Sequence, residues 1–83
     1  MNENSVQLEL LGTAACHLCE QVEGALLNLQ HSGLIFDYRK VDISEDDKLF
    51  EQYALLIPVL RNAVGKELRW PFGGDELLAF IQG

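Results

Sequence analysis

Two cysteines three residues apart are the part of this chain best suited to chemistry. They stand in the segment Cys16-His17-Leu18-Cys19, and the chain has no other cysteine. Two thiols at this spacing form either a redox pair, which cycles between dithiol and disulfide, or half of a metal site. Two cysteines are too few for the disulfide framework of a small secreted protein. The pair is therefore the first candidate for a functional site.

The redox interpretation requires Cys16 to stand at the start of a helix. Val6, Leu8 and Leu10 alternate with polar residues, a pattern typical of a strand. From Cys16 onward the apolar residues follow the spacing of one helix face: Leu18, Val22, Ala25, Leu26 and Leu29. Unpaired N–H groups at a helix N-terminus stabilise a thiolate, the nucleophilic form of cysteine. We therefore predict that Cys16 is the nucleophile and that Cys19, one turn later, is the resolving thiol.

Few charges near in sequence can assist a thiolate at Cys16. The chain has no Lys or Arg before Arg39, and His17 is the only neighbouring side chain that can become positive. The backbone must therefore supply most of the stabilisation, and we expect a moderate lowering of the pKa of Cys16. We also assign His17, which follows the nucleophile, to substrate binding.

Two other interpretations of the pair remain open. Cys16, His17 and Cys19 are all possible metal ligands, but a structural zinc site takes four ligands, and His31 is the only other soft ligand in the chain. A second chain could supply the remaining ligands, so that a metal ion or an iron–sulfur cluster would be held between two chains with Cys16 as a ligand. Isolated cysteines are also often small buried hydrophobic residues, and the chain would then be a redox-inactive scaffold.

The middle of the chain predicts a strand followed by a helix. Residues 34–43 are rich in aromatic and β-branched types, and Arg39 and Lys40 suit the edge of a sheet. We predict Ser44 as the N-cap of a helix that runs to about Tyr53. Its inward-facing residues would be Leu49, Phe50 and Tyr53.

The last third predicts a hairpin and a helix. Residues 58–61 and 66–70 form the strands of the hairpin, and residues 75–82 form the helix. The element order is therefore β-α-β-α-β-β-α, in one domain spanning residues 1–83. The first two strands should be parallel, because a right-handed helical crossover joins them.

Composition narrows the classes of partner. Thirteen acidic and six basic residues give 83 residues a net charge of −7, which disfavours nucleic acids and anionic membranes. The chain lacks an apolar run of the ~18 residues that a membrane span requires. Residues 1–5 do not resemble a signal peptide. We therefore expect the protein in the cytoplasm, and we take a monomer as the default oligomeric state.

Three segments together resemble a small bacterial glutaredoxin-like family of the thioredoxin-like superfamily: 16–20 (CHLCE), 41–43 (VDI) and 57–60 (IPVL). The resemblance covers nearly the whole chain. It implies an α/β thioredoxin-like fold, with a four-stranded mixed sheet in the order 2-1-3-4 and helices on both faces. It further implies thiol–disulfide exchange without a metal or a bound cofactor, acting on a disulfide-containing protein or a small thiol.

The resemblance also implies where a substrate binds. Pro58 matches a family proline that follows a cis peptide bond and faces the cysteines, which would leave the Ile57 backbone free to pair with substrate. The segment 73–75 (GGD) is similar to the glutathione-binding segment of glutaredoxins, so Gly74 and Asp75 would bind glutathione as a co-substrate. Alternatively, the two glycines form a turn and Asp75 is an ordinary N-cap.

Overall fold

The structure is a computed structural model that describes residues 6–83. Its elements are β1 (Gln7–Gly12), α1 (His17–His31), β2 (Asp37–Asp42), α2 (Asp47–Tyr53), β3 (Val59–Asn62), β4 (Glu67–Arg69) and α3 (Gly74–Gln82). This order confirms the predicted β-α-β-α-β-β-α arrangement. Residues 1–5, which we judged unlike a signal peptide, lie outside the described part. Within residues 6–83, no helix has the length and apolar character needed to cross a bilayer.

The four strands form one mixed sheet in the order β2-β1-β3-β4, as expected. Strand β1 is parallel to β2 and antiparallel to β3, and β4 is antiparallel to β3. Leu11 near the end of β1 lies opposite Val59 at the start of β3, and Val59 lies opposite Arg69 at the end of β4. The loops that follow β1 and β4 and the loop that precedes β3 therefore meet at one edge of the sheet.

Helices cover both faces of the sheet because the side chains of β1 alternate between two cores. Leu8 and Leu10 pack with helices α1 and α3, whereas Leu11 packs with Tyr53 of α2 on the opposite face. The first core contains the buried residues Leu8, Leu10, Val22, Leu26, Phe36, Leu60, Leu77 and Ile81. The second contains Leu11, Ile43, Tyr53 and Val59. Strand β1 is thus held from both sides.

The predicted N-cap of α2 was wrong by two residues. Ser44 lies inside a short 3-10 turn, Ile43–Glu45, and its N–H donates to the carboxylate of Asp42 at 2.9 Å. Asp46 caps α2 instead, since its carboxylate accepts from the N–H groups of Lys48 and Leu49. Ser44 and Asp46 both have short polar side chains that suit an N-cap, and the turn after β2 decides which of them faces the helix.

Two further expectations required correction. Phe50 does not face the core, because its side chain is 48% exposed while Tyr53 of the same short helix is buried. Strand β2 begins at Asp37 and not at Leu34. Its pairing starts where β1 starts, with the N–H of Asp37 donating to the carbonyl of Val6 at 2.8 Å.

A cluster of charges occupies the part of the sheet that α2 leaves open. Glu9 lies beside Arg39 and Arg61 in the strand register, and its carboxylate accepts from both guanidinium groups. Burial raises the pKa of Glu9, but the hydrogen bonds from the two arginines outweigh it and hold the pKa below its ordinary value. The carboxylate is therefore the hub of a charge network joining β1, β2 and β3. A broad depression of about 650 Å³ lies over this cluster, and neither cysteine lines it.

We expect Glu9→Gln to lower the free energy of unfolding at pH 7 by about 1 kcal/mol, because both guanidiniums lose their ionised partner. A carboxyl group with a lowered folded-state pKa stabilises the protein above its unfolded pKa and loses this effect as the pH falls. The difference between the variant and the parent should therefore shrink below about pH 4.5, the ordinary value for Glu. Urea unfolding at several pH values measures it.

The matched control is Glu51→Gln, which neutralises an exposed acid on α2. It should lower the free energy of unfolding at pH 7 by less than Glu9→Gln does. Equal pH dependence in Glu9→Gln and the parent would contradict the assigned role of Glu9.

Candidate active site

The start of α1 is built on Cys16. This residue is the N-cap of the helix and has an extended backbone, with φ −89° and ψ 107°. Its N–H donates to the carbonyl of Thr13 at 3.3 Å, and its own carbonyl accepts from the N–H of Glu20 at 3.2 Å. A tight turn after β1 therefore delivers Cys16 to the helix N-terminus, as the sequence predicted.

Cys16 and Cys19 are joined by a disulfide, with their Cα atoms 5.2 Å apart. Their surroundings differ. Cys16 is half-buried, whereas Cys19 is only 7% exposed and belongs to the apolar interior beneath α1. The sulfur of Cys16 is thus the more accessible of the two to an incoming thiol or disulfide.

A backbone donor faces the outer sulfur. The N–H of Cys19 donates to Sγ of Cys16 over an N···S distance of 3.1 Å. In the reduced protein this N–H and the positive end of the helix dipole would stabilise a thiolate on Cys16. The neighbouring His17 is exposed, and its Nδ1 lies 3.8 Å from a carboxylate oxygen of Glu20.

A groove of about 250 Å³ runs beside the disulfide, between α1 and the ends of β1 and β2. Lys40 is the one lysine or arginine among the described residues that line the groove. Its Nζ lies 3.3 Å from a carboxylate oxygen of Glu23. The hydroxyl of Tyr38 donates to the other oxygen of Glu23 at 2.7 Å. This hydrogen bond, with help from Lys40, holds the pKa of Glu23 below its usual range. Burial and the neighbouring carboxylate raise the pKa of Tyr38 to about 12.

Sequence reasoning missed Lys40 as a neighbour of the cysteines. Lys40 is 24 positions after Cys16, so no local pattern links the two residues. The register of β1 with β2, in which Leu10 lies opposite Lys40, brings this side chain to the groove. The adjacent basic residues Arg39 and Lys40, on the strand parallel to β1, were the available signal for a cation near the cysteines.

Pro58 lies directly before β3, at the same edge of the sheet as Gly12. Pro58 is buried, Ile57 is half-buried, and the peptide bond between them is cis. The carbonyl of Pro58 accepts from the N–H of Trp70 at 3.3 Å, which connects this segment to the end of β4. The Trp70–Pro71 bond is also cis, which sequence reasoning did not anticipate.

The predicted glutathione-binding segment, residues 73–75, stands at the start of α3. The helix begins at Gly74, one residue earlier than predicted, and Gly73 is its N-cap. Asp75 therefore does not serve as the N-cap, and that alternative was wrong. The N–H of Gly73 donates to a carboxylate oxygen of Glu76 at 2.8 Å. The helix start thus already holds one carboxylate of the chain itself.

The histidines and cysteines of the described part of the chain do not form a cluster of metal ligands. Among residues 6–83, no three His, Cys, Asp or Glu side chains are grouped so as to hold a metal ion. His31 is the last residue of α1, at the opposite end of the helix from Cys16.

Comparison with known proteins identifies the family. The family model described as "Glutaredoxin-like domain (DUF836)" matches residues 7–82, nearly the whole chain. The chain belongs to this glutaredoxin-like family. The expected membership in the thioredoxin-like superfamily, and the fold that it implies, are confirmed. No curated protein matches the chain.

Solved structures agree with this membership. The structural genomics target XcR50 from X. campestris, solved as a crystal structure, is 39% identical in sequence to this chain, and the two structures align with a TM-score of 0.74. The match covers 90% of this chain and 95% of that one. Protein Ne2328 from Nitrosomonas europaea is 26% identical, with a TM-score of 0.71 and coverage of 92% and 91%. The glutaredoxin-like fold and two cysteines at disulfide distance fit a redox function.

We expect the pKa of Cys16 in the reduced protein to lie below that of a free cysteine, because a helix N-terminus and the N–H of Cys19 face its sulfur. The rate of iodoacetamide alkylation of Cys19→Ser, measured against pH, reports this pKa. Cys16→Ser, which retains only the buried Cys19, is the control and should react more slowly at neutral pH. A Cys16 pKa equal to or above that of a free thiol would contradict the argument.

Proposed function

We propose that this glutaredoxin-like domain is a thiol–disulfide oxidoreductase, with Cys16 as the nucleophile and Cys19 as the resolving thiol. One observation supports the assignment most strongly. Cys16 is the more exposed sulfur and caps a helix, while its partner is buried behind it and directs an N–H at it. The exposed position of Cys16 suits attack on an external disulfide. The buried position of Cys19 suits an intramolecular reaction that excludes other thiols.

The exchange proceeds in two displacements. The Cys16 thiolate attacks one sulfur of a substrate disulfide, an S–S bond forms between them, and the other substrate sulfur leaves as a thiolate. The thiolate of Cys19 then attacks Sγ of Cys16, closing the Cys16–Cys19 disulfide and releasing the second substrate thiolate. The substrate gains two electrons and two protons, and the pair loses them.

Regeneration requires a reductant of the thiol class. Two molecules of glutathione would return the pair to the dithiol and leave as glutathione disulfide, so no bound cofactor or metal is required. A reducing compartment, the cytoplasm, favours this direction. Both sulfurs come from one chain, which is consistent with action as a monomer.

Substrate contacts are proposed on either side of Cys16. His17, with its side chain 83% exposed, directly follows the nucleophile in sequence. The half-buried Ile57 stands at the same sheet edge, directly before the buried Pro58. Its N–H donates to the carbonyl of Tyr53 at 3.1 Å, so its carbonyl would accept from the backbone of an extended substrate, and Pro58 would lie against that substrate. Gly74 and Asp75 are exposed in the first turn of α3, where free N–H groups suit a glutathione carboxylate.

Cys19→Ser should trap substrates as mixed disulfides on Cys16, because the resolving thiol is absent while the nucleophile remains. Non-reducing gels and mass spectrometry of extract incubated with the reduced variant measure the adducts. Cys16→Ser is the matched control and should trap nothing, since its remaining thiol is buried. Failure of Cys19→Ser to form any adduct would contradict a general oxidoreductase role.

Glutathione binding at α3 has its own test. Glu76 is exposed, and its carboxylate already accepts from the N–H of Gly73, so its charge would repel a glutathione carboxylate. Glu76→Gln keeps an acceptor at that position without the charge. We expect it to accelerate reduction of the disulfide by glutathione several-fold and to leave reduction by 2-mercaptoethanol, which is uncharged, unchanged. Glu51→Gln on α2 controls for net charge, and identical rates in both variants would contradict binding at α3.

A further inference from the structure

The last residue of β1, Gly12, lies directly against the redox pair. It is buried, and a Cβ atom built on it would lie 2.6 Å from Sγ of Cys19 and 3.2 Å from its Cβ. We propose that Gly12 is a positioning residue for the cysteine pair. Its missing side chain leaves the space that Sγ of Cys19 fills in the disulfide, and it thereby shifts the dithiol–disulfide balance toward the disulfide. This inference rests on the proposed redox function.

The backbone does not explain why glycine stands at this position. Positive φ values occur, within residues 6–83, at Gly33, Gly65 and Gly83, and not at Gly12. Gly12 lies in regular strand pairing with Asp42, a conformation that any residue can adopt. The nearest atoms that a side chain would meet belong to Cys19, so the constraint comes from that side chain.

The two redox states differ in their tolerance of a methyl group at residue 12. Non-bonded heavy atoms pack at about 3.5–4.0 Å, so Sγ of Cys19 would have to move by roughly 1 Å. In the disulfide this sulfur is bonded to Cys16 and cannot turn away. In the dithiol it ends a free side chain and can rotate about the Cα–Cβ bond to another staggered position. The methyl group therefore destabilises the disulfide more than the dithiol.

A methyl group on residue 12 would also slow the resolving step. Cys19 must bring its sulfur to Sγ of Cys16 to close the disulfide, which is the position that a methyl group on residue 12 would obstruct. A mixed disulfide on Cys16 should consequently persist longer in Gly12→Ala.

The experiment measures the equilibrium between the protein disulfide plus two glutathione thiols and the protein dithiol plus glutathione disulfide. Wild type, Gly12→Ala and Gly24→Ala are equilibrated in glutathione buffers and quantified after acid quenching and alkylation. We expect Gly12→Ala to shift the equilibrium toward the dithiol by about tenfold, which corresponds to a potential about 30 mV less negative. Gly24 lies in α1, where an added Cβ meets nothing within 4 Å, so Gly24→Ala should match wild type.

A second measurement separates the clash of a residue-12 methyl group with Sγ of Cys19 from any other effect of that methyl group on the fold. Gly12→Ala is combined with Cys19→Ala, which removes Sγ, and urea unfolding midpoints are compared with those of the oxidised parent. The substitution at Gly12 should lower the midpoint less in the Cys19→Ala protein than in the oxidised protein. An equal loss in both, or a failure to fold in both, would overturn the inference, because Gly12 would then serve the fold and not the sulfur.

The outcomes also distinguish this inference from the proposed function. A wild-type pair that equilibrates with glutathione and responds to Gly12→Ala supports the role of Gly12, even when Cys19→Ser traps no substrate. Trapped substrates together with an unchanged equilibrium in Gly12→Ala would overturn the role of Gly12 alone.

Discussion

The hydrogen bond from the N–H of Cys19 to Sγ of Cys16 joins the architecture of this protein to its chemistry. The first N–H groups of a helix need acceptors, which are usually oxygens of Ser, Thr, Asp or Asn. In α1 the acceptor is the sulfur proposed to react. The atom that helps begin the helix is therefore also the atom whose negative charge the helix would stabilise in the reduced protein, so capping and the proposed activation require the same geometry.

That geometry depends on the firm placement of β1. This strand pairs on both sides and packs on both faces, with Leu10 in one core and Leu11 in the other. Its last residue, Gly12, touches the buried cysteine. Short α2 covers the part of its face around Leu11, and the remainder carries the ion pairs of Glu9 in place of a helix. On this face, the half of the strand nearer the site is thus apolar, whereas the distant half is held by charge.

Local patterns predicted much of this arrangement. The alternation before Gly12 and the helical spacing after Cys16 indicated the strand–helix junction, and the turn residues indicated the hairpin. Choices between equivalent neighbours were less predictable. Ser44 and Asp46 are both good caps, and only the path of the chain after β2 selects Asp46. Phe50 fits the helical apolar pattern equally well, but the seven residues of α2 leave it largely outside the core.

Features that depend on neighbours in the chain could be inferred from the amino-acid sequence: a cysteine at a helix start and a second one a turn later. Helical spacing and capping act over a few residues, so their pattern is visible in the letters. The groups that lie near the pair but far from it in sequence depend on the three-dimensional fold. Strand register brought Lys40 to the groove beside the disulfide, and packing set Gly12 against Cys19. These contacts join residues through space, and no local pattern encodes them.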